Sequence, residues 1–264
     1  GCEVYCARRD LHSKENNALD KSGWHLILLA KNEVGYHNLI KIVSEAWVDG
    51  YYHRPRTDHK SLEKYHEGLI ASSACLAGEI PRYVKNGQIE EAEKSIEWFK
   101  SLFGEDFYIE LMRHEVKNPM QRANRETFKE QKAIEPTLIE LARKHNVKLI
   151  CTNDSHFVDE ENAEAHDHLL CLSTGKDLDD PDRMRYTKQE WFKTKEEMNE
   201  IFSDVPEALS NTLEILDKVE TYNIESDPIM PFFPIPESFG TEEEWRKKYT
   251  EEDLYKEFTS DEND

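Results

Sequence analysis

No stretch of this 264-residue sequence comes near the roughly 18 consecutive apolar residues that a membrane-spanning helix needs, and its first residues carry no signal-like segment. The five cysteines, Cys2, Cys6, Cys75, Cys151 and Cys171, are odd in number and lack paired C-x-x-C spacing. That pattern indicates neither a disulfide framework nor a zinc ribbon, and its default is a reduced, cytoplasmic compartment. Positive charge is scarce, with 34 Lys and Arg against 55 Asp and Glu and a net charge of −21. Residues 225–264 hold 13 acidic and 4 basic residues, so the tail carries much of the imbalance, and the body is still acidic. Such a field repels nucleic acid, and local cations or metals must overcome it if a phosphodiester is handled. Apolar content is low at 38% but above the disordered range, and the length suits one large domain or one and a half. A chain that opens on Gly1-Cys2-Glu3-Val4-Tyr5, without Met and already strand-like, is expected to be cut from something longer.

What is present is organised around Val147-Lys148-Leu149-Ile150-Cys151-Thr152-Asn153-Asp154-Ser155-His156-Phe157, a short apolar strand running into a polar tip. In extended chain, positions i and i+2 point to the same side, so Asp154 and His156 can bring a carboxylate and an imidazole to one point. Ligands and catalytic groups collect at the carboxyl ends of strands in parallel α/β folds. A solvated loop with an Asx turn and an incidental histidine is the competing account of the same residues.

Further strands are expected over 2–6, 24–30, 68–73 and 107–112. Helices are expected over 33–47, capped by Asn32 with Leu39, Ile40, Val43 and Trp47 on one face, then over 79–85 and 89–103, the latter with Ile96, Phe99 and Phe103 inward. A long helix over 119–145 contains Pro136, which kinks or splits it, and helices over 160–172, 188–202 and 206–219 complete the body. Residues 8–22 read as a hairpin-like or disordered polar segment. Strand and helix alternating in this way are the signature of βαβ units, hence a parallel α/β barrel or sheet. Beyond Tyr222, Pro228, Pro231, Pro234 and Pro236 rule out a helix and describe an extended exit anchored by Phe232 and Phe233, and 242–258 reads as a charged helix.

Candidate ligands mark the strand ends. Glu3 lies in the first strand, Cys75 follows the third, His114 the fourth, and Asp154 and His156 the fifth, while His25 opens the second strand and is less well placed. Carboxylate, imidazole and thiol together suit zinc, manganese or iron better than magnesium or calcium alone. Two such ions about 3.5 to 4 Å apart clamp a phosphodiester and lower the pKa of a bridging water, so phosphoester hydrolysis is the indicated reaction. Against this, Cys75 in an Ala-Cys-Leu-Ala setting also fits a small buried residue, His114 a surface residue, and Glu3 an exposed one. Arg54 and Arg56 around Pro55 suit either a phosphate-facing pair or structural salt bridges. His166 and His168 fit an outer layer behind the ligands.

The motifs Gly1-Cys2-Glu3-Val4-Tyr5, His25-Leu26-Ile27-Leu28-Leu29-Ala30-Lys31-Asn32, Gly35-Tyr36-His37-Asn38-Leu39, Tyr52-His53-Arg54-Pro55-Arg56, Cys75-Leu76-Ala77-Gly78-Glu79, Tyr108-Ile109-Glu110-Leu111 and Thr152-Asn153-Asp154-Ser155-His156-Phe157 occur in this order. Together they resemble the polymerase and histidinol phosphatase (PHP) domain of bacterial replicative DNA polymerase III alpha subunits. The resemblance runs to about residue 220, and Asn211-Thr212 through Pro231-Phe232-Phe233-Pro234-Ile235-Pro236 is similar to the connection into the polymerase palm.

The resemblance implies a PHP domain over 1–222 and a linker with the start of the palm region over 223–264. The fold it implies is a distorted seven-stranded, TIM-like (β/α) barrel lacking its first two β/α units, whose mouth in complete form binds up to three divalent metals. Glu3, His25, Cys75, Asp154 and His156 fall on the family's metal-ligand positions, Asp154 and His156 serving catalysis too, with His114, Arg54 and Arg56 as outer or substrate contacts. The family's His-X-His and Asp-His motifs lie upstream of the matched glutamate and are expected to be missing, which leaves the site incomplete, the fragment inactive and its open strand edges prone to self-association. The implied activity is that of a replicative polymerase whose PHP domain is a 3′–5′ exonuclease-type phosphoesterase. The implied partners are DNA, a proofreading exonuclease subunit and a sliding clamp, with no membrane. A non-catalytic scaffold that steadies the polymerase is the alternative, and a stand-alone histidinol-phosphatase-like enzyme a weaker one.

Overall fold

Two apolar, strand-forming runs separated by a polar stretch fold back on each other. In a computed structural model, β1 (Cys2–Ala7) and β2 (Gly23–Ala30) pair antiparallel, with Glu3 opposite Ile27 and Tyr5 opposite His25. The structure describes residues 1–234 and 236–258. Residues 8–22 are an ordered connection: Asp20 accepts from Arg9 Nε and Nη2 and from the Glu15 amide, while the fully buried Arg56 guanidinium donates to the carbonyls of Leu11, Ser13, Asp20 and Gly50.

The chain then continues through α1 (Glu33–Val48), β3 (Arg56–Thr57), α2 (His59–Tyr65), β4 (Leu69–Ser72), α3 (Glu79–Lys85), α4 (Ile89–Phe103), β5 (Phe107–Leu111), α5 (Glu126–Lys144), β6 (Lys148–Cys151), α6 (Ala163–Thr174), α7 (Lys195–Ile201) and α8 (Pro206–Lys218). Among the described residues the strands form one six-stranded sheet in the order β3-β1-β2-β4-β5-β6. The β4, β5 and β6 strands are parallel and joined through helices, as βαβ spacing requires, but β2 runs against both its neighbours. The sheet is therefore mixed, where a parallel one was expected. No helix intervenes between β1 and β2, so the chain returns beside itself in the opposite sense.

Side chains alternate across this sheet. Val4, Cys6, Leu26, Leu28, Leu69, Ala71, Phe107, Ile109 and Leu111 enter the main core with Ile42, Leu62, Ile96, Phe99 and Leu138 from the helices. The other face carries Glu3 and Tyr5 of β1, His25 near the amino end of β2, and Ser72 and Glu110 near the carboxyl ends of β4 and β5, with Ile70, Tyr108 and Ile150 deeper, where Ile215 of α8 covers them.

Several expectations need correction. In α1 the buried positions are Gly35, Asn38, Leu39, Ile42 and Ala46, whereas Ile40 and Trp47 are 45% and 58% exposed. A Cβ on Gly35 would lie 1.9 Å from the Gly68 carbonyl oxygen, so backbone contact with Gly68 sets the rotation of this helix. Pro136 neither splits nor ends α5: it is exposed, and the Lys132 carbonyl that loses its donor is on an exposed residue. The helix expected over 188–202 is shorter, beginning only after Thr194, whose hydroxyl and the Glu197 carboxylate form a capping box. Lys188, at φ +63, breaks the helical path before it.

The chain divides into two compact units, Gly1–Asn223 and Ile224–Asp264. In the second, Phe232 and Phe233 are 88% and 80% exposed, not buried as the expected anchors. Thr250 interrupts the single helix expected there, leaving α9 (Glu242–Lys248) and α10 (Glu251–Phe258). Residue 235 and residues 259–264 of the expected exit lie outside the described residues.

Helix α8 is held to the sheet by charge as well as packing. Lys148 Nζ donates to both Glu214 oxygens at 2.8 and 2.7 Å, the Tyr108 hydroxyl donates to Glu214 at 2.9 Å, and Lys218 bridges Glu214 and Asp106. Lys148 first, then Tyr108 and Lys218, hold the Glu214 carboxyl down to about 2 despite burial. A carboxyl with a folded pKa below its unfolded value, about 4.3, stabilises fully above that value and loses the contribution as pH falls toward its folded pKa. Urea unfolding should therefore show a stability gap between the wild type and Glu214→Gln that is present at neutral pH and closes as pH falls from about 4.3 toward about 2. A gap independent of pH would show that the ion cluster is not what ties α8 down.

Candidate functional site

Because β2 is reversed, its amino end lies beside the carboxyl ends of β1 and β4. The His25 amide donates to the Ala77 carbonyl at 3.1 Å, and His25 bridges to Gly78, so the loop after β4 is laced to the start of β2. Three candidates meet there: Glu3 Oε1 lies 2.7 Å from His25 Nδ1, and Cys75 Sγ lies 3.6 Å from the same nitrogen. The Tyr5 ring packs edge-on against the imidazole at 4.9 Å. Burial works against a charged ring, but the Cys75 thiol and the Glu3 carboxylate outweigh it and push His25 up to about 9. The bond from His25 holds Glu3 below the ordinary carboxylate range.

Asp154 and His156 stand on the loop after β6. Asp154 is left-handed at φ +44, so the tip departs from the extended chain whose i and i+2 side chains would align. His156 Nδ1 lies 2.6 Å from the Asp154 carbonyl, and the Tyr186 hydroxyl is 3.1 Å from His156 Nε2. Burial raises the Asp154 carboxyl, against the pull of His156 and His114. Charge interactions link Asp154 and His156 to Glu3, so the two groups lie within electrostatic reach of one another.

Buried polar residues shape this loop from behind. His114 is 2% exposed; its Nε2 lies 3.1 Å from the Asn153 carbonyl and its Nδ1 3.1 Å from Gln131 Nε2, which fixes the ring as an Nε2–H donor. Burial lowers its pKa, consistent with a neutral ring. Asn153 Nδ2 donates to the carbonyls of Gln189 and Trp191 at 2.9 and 2.7 Å, and the His156 amide to the Glu190 carbonyl at 2.7 Å. This fastens the 187–192 strip to the loop.

The proposed arginine pair separates. Arg56 is a correction: its guanidinium is wholly occupied by backbone carbonyls and is closed to any substrate. Arg54 is exposed, over the Tyr5 ring and bonded to its hydroxyl. His166 packs against Tyr186 at 5.1 Å, Phe157 at 5.2 Å and His156 at 5.8 Å, whereas His168 is exposed with Nδ1 on the Glu164 carbonyl.

Two residues at the site escaped sequence reasoning. Tyr186 comes from the 175–192 excursion, which a bidentate Arg183–Asp167 pair ties to α6, and burial with the nearby carboxylates pushes its hydroxyl up to about 12. Glu110 was named only within the Tyr108-Ile109-Glu110-Leu111 motif, yet it lies on the site face of β5. Its alternation with the core residues Ile109 and Leu111 was the available signal.

As folded, Glu3, His25 and Cys75 are engaged with one another and His156 with Tyr186, and among the described residues no three His, Cys, Asp or Glu side chains are arranged as a group that could hold a metal ion. The donor chemistry nevertheless fits a divalent cation: a carboxylate, a thiol and a ring nitrogen, each a ligand type of zinc, manganese or iron, converge on one point.

Residues 1–114 match the model of the PHP domain, a span that includes Glu3, His25, Cys75 and His114. The chain is 42% identical to DNA polymerase III subunit alpha of Borreliella burgdorferi over 98% of its own length and 22% of the relative's. Identity is 34% with the same subunit of Treponema pallidum, over 97% of this chain and 21% of the relative, and 34% with that of Thermus aquaticus, over 95% and 20%. The chain thus spans about a fifth of the length of these curated relatives.

Truncating Asn153 tests how the mouth is held. Asn153→Ala leaves the Gln189 and Trp191 carbonyls without their donor and should cost about 2–3 kcal/mol in urea unfolding, with faster amide exchange over 187–191. A loss under about 0.5 kcal/mol with unchanged exchange would contradict this fastening.

Proposed function

We propose, from the premise that this chain belongs to the family of PHP domains carried by DNA polymerase III alpha subunits, that it is a metal-dependent phosphoesterase-type module of a replicative DNA polymerase. The convergence of the Glu3 carboxylate and the Cys75 thiol on His25 Nδ1 is the observation that carries it. Glu3, His25, Cys75, Asp154 and His156 are the residues that would hold divalent zinc, manganese or iron. Bound there, such an ion supplies Lewis-acid activation of water and of a phosphoryl oxygen.

The chain's own residues do the rest. Glu3 keeps the His25 ring oriented, and Tyr5 packs against that ring's edge. Asp154 supplies a carboxylate beside His156, and Tyr186 offers a hydroxyl to a substrate once His156 Nε2 engages elsewhere. The acidic surface repels a polynucleotide in bulk, so binding of a phosphodiester depends on cations at the mouth. In the same proposal, residues 1–222 form the PHP domain as part of a seven-stranded barrel and 223–264 lead toward a polymerase palm. DNA, a proofreading subunit and a sliding clamp are the partners, in the cytoplasm. Among the described residues no helix is long and apolar enough to cross a membrane.

Dialysis against Zn²⁺ or Mn²⁺ followed by metal counting tests this. Stoichiometric metal should stabilise the protein, by about 2.7 kcal/mol at a hundred times Kd, and Asp154→Ala or His156→Ala should weaken uptake at least tenfold. A wild type that takes up no metal would favour a scaffold role instead.

A further inference from the structure

At the floor of the mouth one buried carboxylate joins the two loops that carry the candidate ligands. Glu110 is 5% exposed. Its Oε1 accepts from the Ser72 hydroxyl at 2.6 Å and from the Ala74 amide at 2.9 Å, and its Oε2 accepts from the Thr152 hydroxyl at 2.6 Å. Its own amide donates to the Ser73 hydroxyl at 2.9 Å. Ala74 precedes Cys75, and Thr152 stands two residues before Asp154. Both loops contain a non-glycine residue in the left-handed region, Ala74 at φ +57 and Asp154 at φ +44. Such conformations persist only where surrounding contacts impose them. Among the described residues no cation is paired with Glu110, and its two oxygens accept hydrogen bonds from one loop each.

We infer that Glu110 is a positioning residue: by accepting Ser72 and Ala74 on one oxygen and Thr152 on the other, it fixes the separation of the Cys75 loop from the Asp154 and His156 loop, and so sets the spacing of the donors for a divalent metal. This rests on the metal site proposed above. It also makes a prediction about side-chain chemistry. A glutamine can place its amide oxygen toward Ser72 and Ala74 and its amide nitrogen toward Thr152, whose hydroxyl is able to accept. Glu110→Gln should therefore keep all three contacts, whereas Glu110→Ala keeps none. Thr152→Val releases the Asp154 arm alone.

The test uses the whole chain in a Cys2→Ser background, because Cys2 and Cys75 are the partly exposed thiols while Cys6, Cys151 and Cys171 are buried. Two readouts are metal-free: the rate at which iodoacetamide alkylates Cys75, and amide exchange over 152–156. The third is the thiolate-to-metal charge-transfer absorbance on titration with Cd²⁺. Glu110→Gln should stay within about twofold of wild type throughout, and Glu110→Ala should lose about 10- to 100-fold in Cd²⁺ affinity while alkylation accelerates. Thr152→Val should speed exchange over 152–156 and weaken Cd²⁺ while leaving Cys75 alkylation unchanged, and it carries the test if Glu110→Ala fails to fold. Wild-type behaviour of Thr152→Val in exchange and Cd²⁺ binding, or loss of function in Glu110→Gln equal to that in Glu110→Ala, would overturn the assignment. If the wild type binds no Cd²⁺, the metal-site proposal fails, and the two metal-free readouts still decide whether Glu110 holds the loops.

Discussion

The reversed direction of β2 is the constraint on which the site depends. With β2 antiparallel to β1 and β4, its first residues lie level with the last residues of its neighbours, and the register that sets Tyr5 opposite His25 also sets Ile27 opposite Ser72. A histidine at the start of a strand thereby reaches the same mouth as residues at the ends of others. Sheet alternation does the second half of the work, since Glu3, His25, Ser72 and Glu110 share the face opposite the main core. The apolar face supplies the burial that holds the sheet, and the polar face is left free for chemistry.

Around that mouth the protein concentrates acidity and then compensates it locally. Glu3, Asp154, Glu110 and Glu190 lie within electrostatic reach of one another and of the His25 and His156 imidazoles, and the positive charge favoured on His25 is the local answer to them. Each loop that contributes a donor is tied down by buried hydrogen bonds: Asn153 to the 187–192 strip, His114 to Asn153, and the Glu110 carboxylate to both loops. Arginines act elsewhere. Arg56 orders the β1–β2 connection, and Arg113 bridges Glu135 and Asp204 behind the site. An ordered connection there matters for function, because it delivers β2 in the direction that brings His25 to the mouth.

Much of this was legible in the sequence, for identifiable reasons. Strands β1, β2, β4, β5 and β6 are apolar runs bounded by polar residues, and α4 shows its Ile96, Phe99 and Phe103 stripe as expected. Strand ends pointed to Glu3, Cys75, His114, Asp154 and His156 as candidates, and the fold brings Glu3 and Cys75 onto His25. What stayed hidden depends on tertiary contact. The orientation of α1 follows from the approach of Gly35 to Gly68, which hydrophobic periodicity cannot report. The sense of β2 was missed although residues 8–22 read as hairpin-like, because the strand–helix alternation of the later chain was extended to all the strands as parallel βαβ units. Tyr186 reaches the site through a long excursion held by Arg183 and Asp167, with no local signal. The capping box at Thr194 was readable and would have shortened the helix expected over 188–202.

The most direct measurement is anomalous scattering from crystals of this chain grown with Zn²⁺ or Mn²⁺. The account predicts a metal peak at the mouth, with Glu3, His25, Cys75, Asp154 or His156 atoms at coordination distances of about 2.0–2.3 Å. A peak bound only by surface carboxylates elsewhere, or none beside His25 at saturating metal, would contradict it.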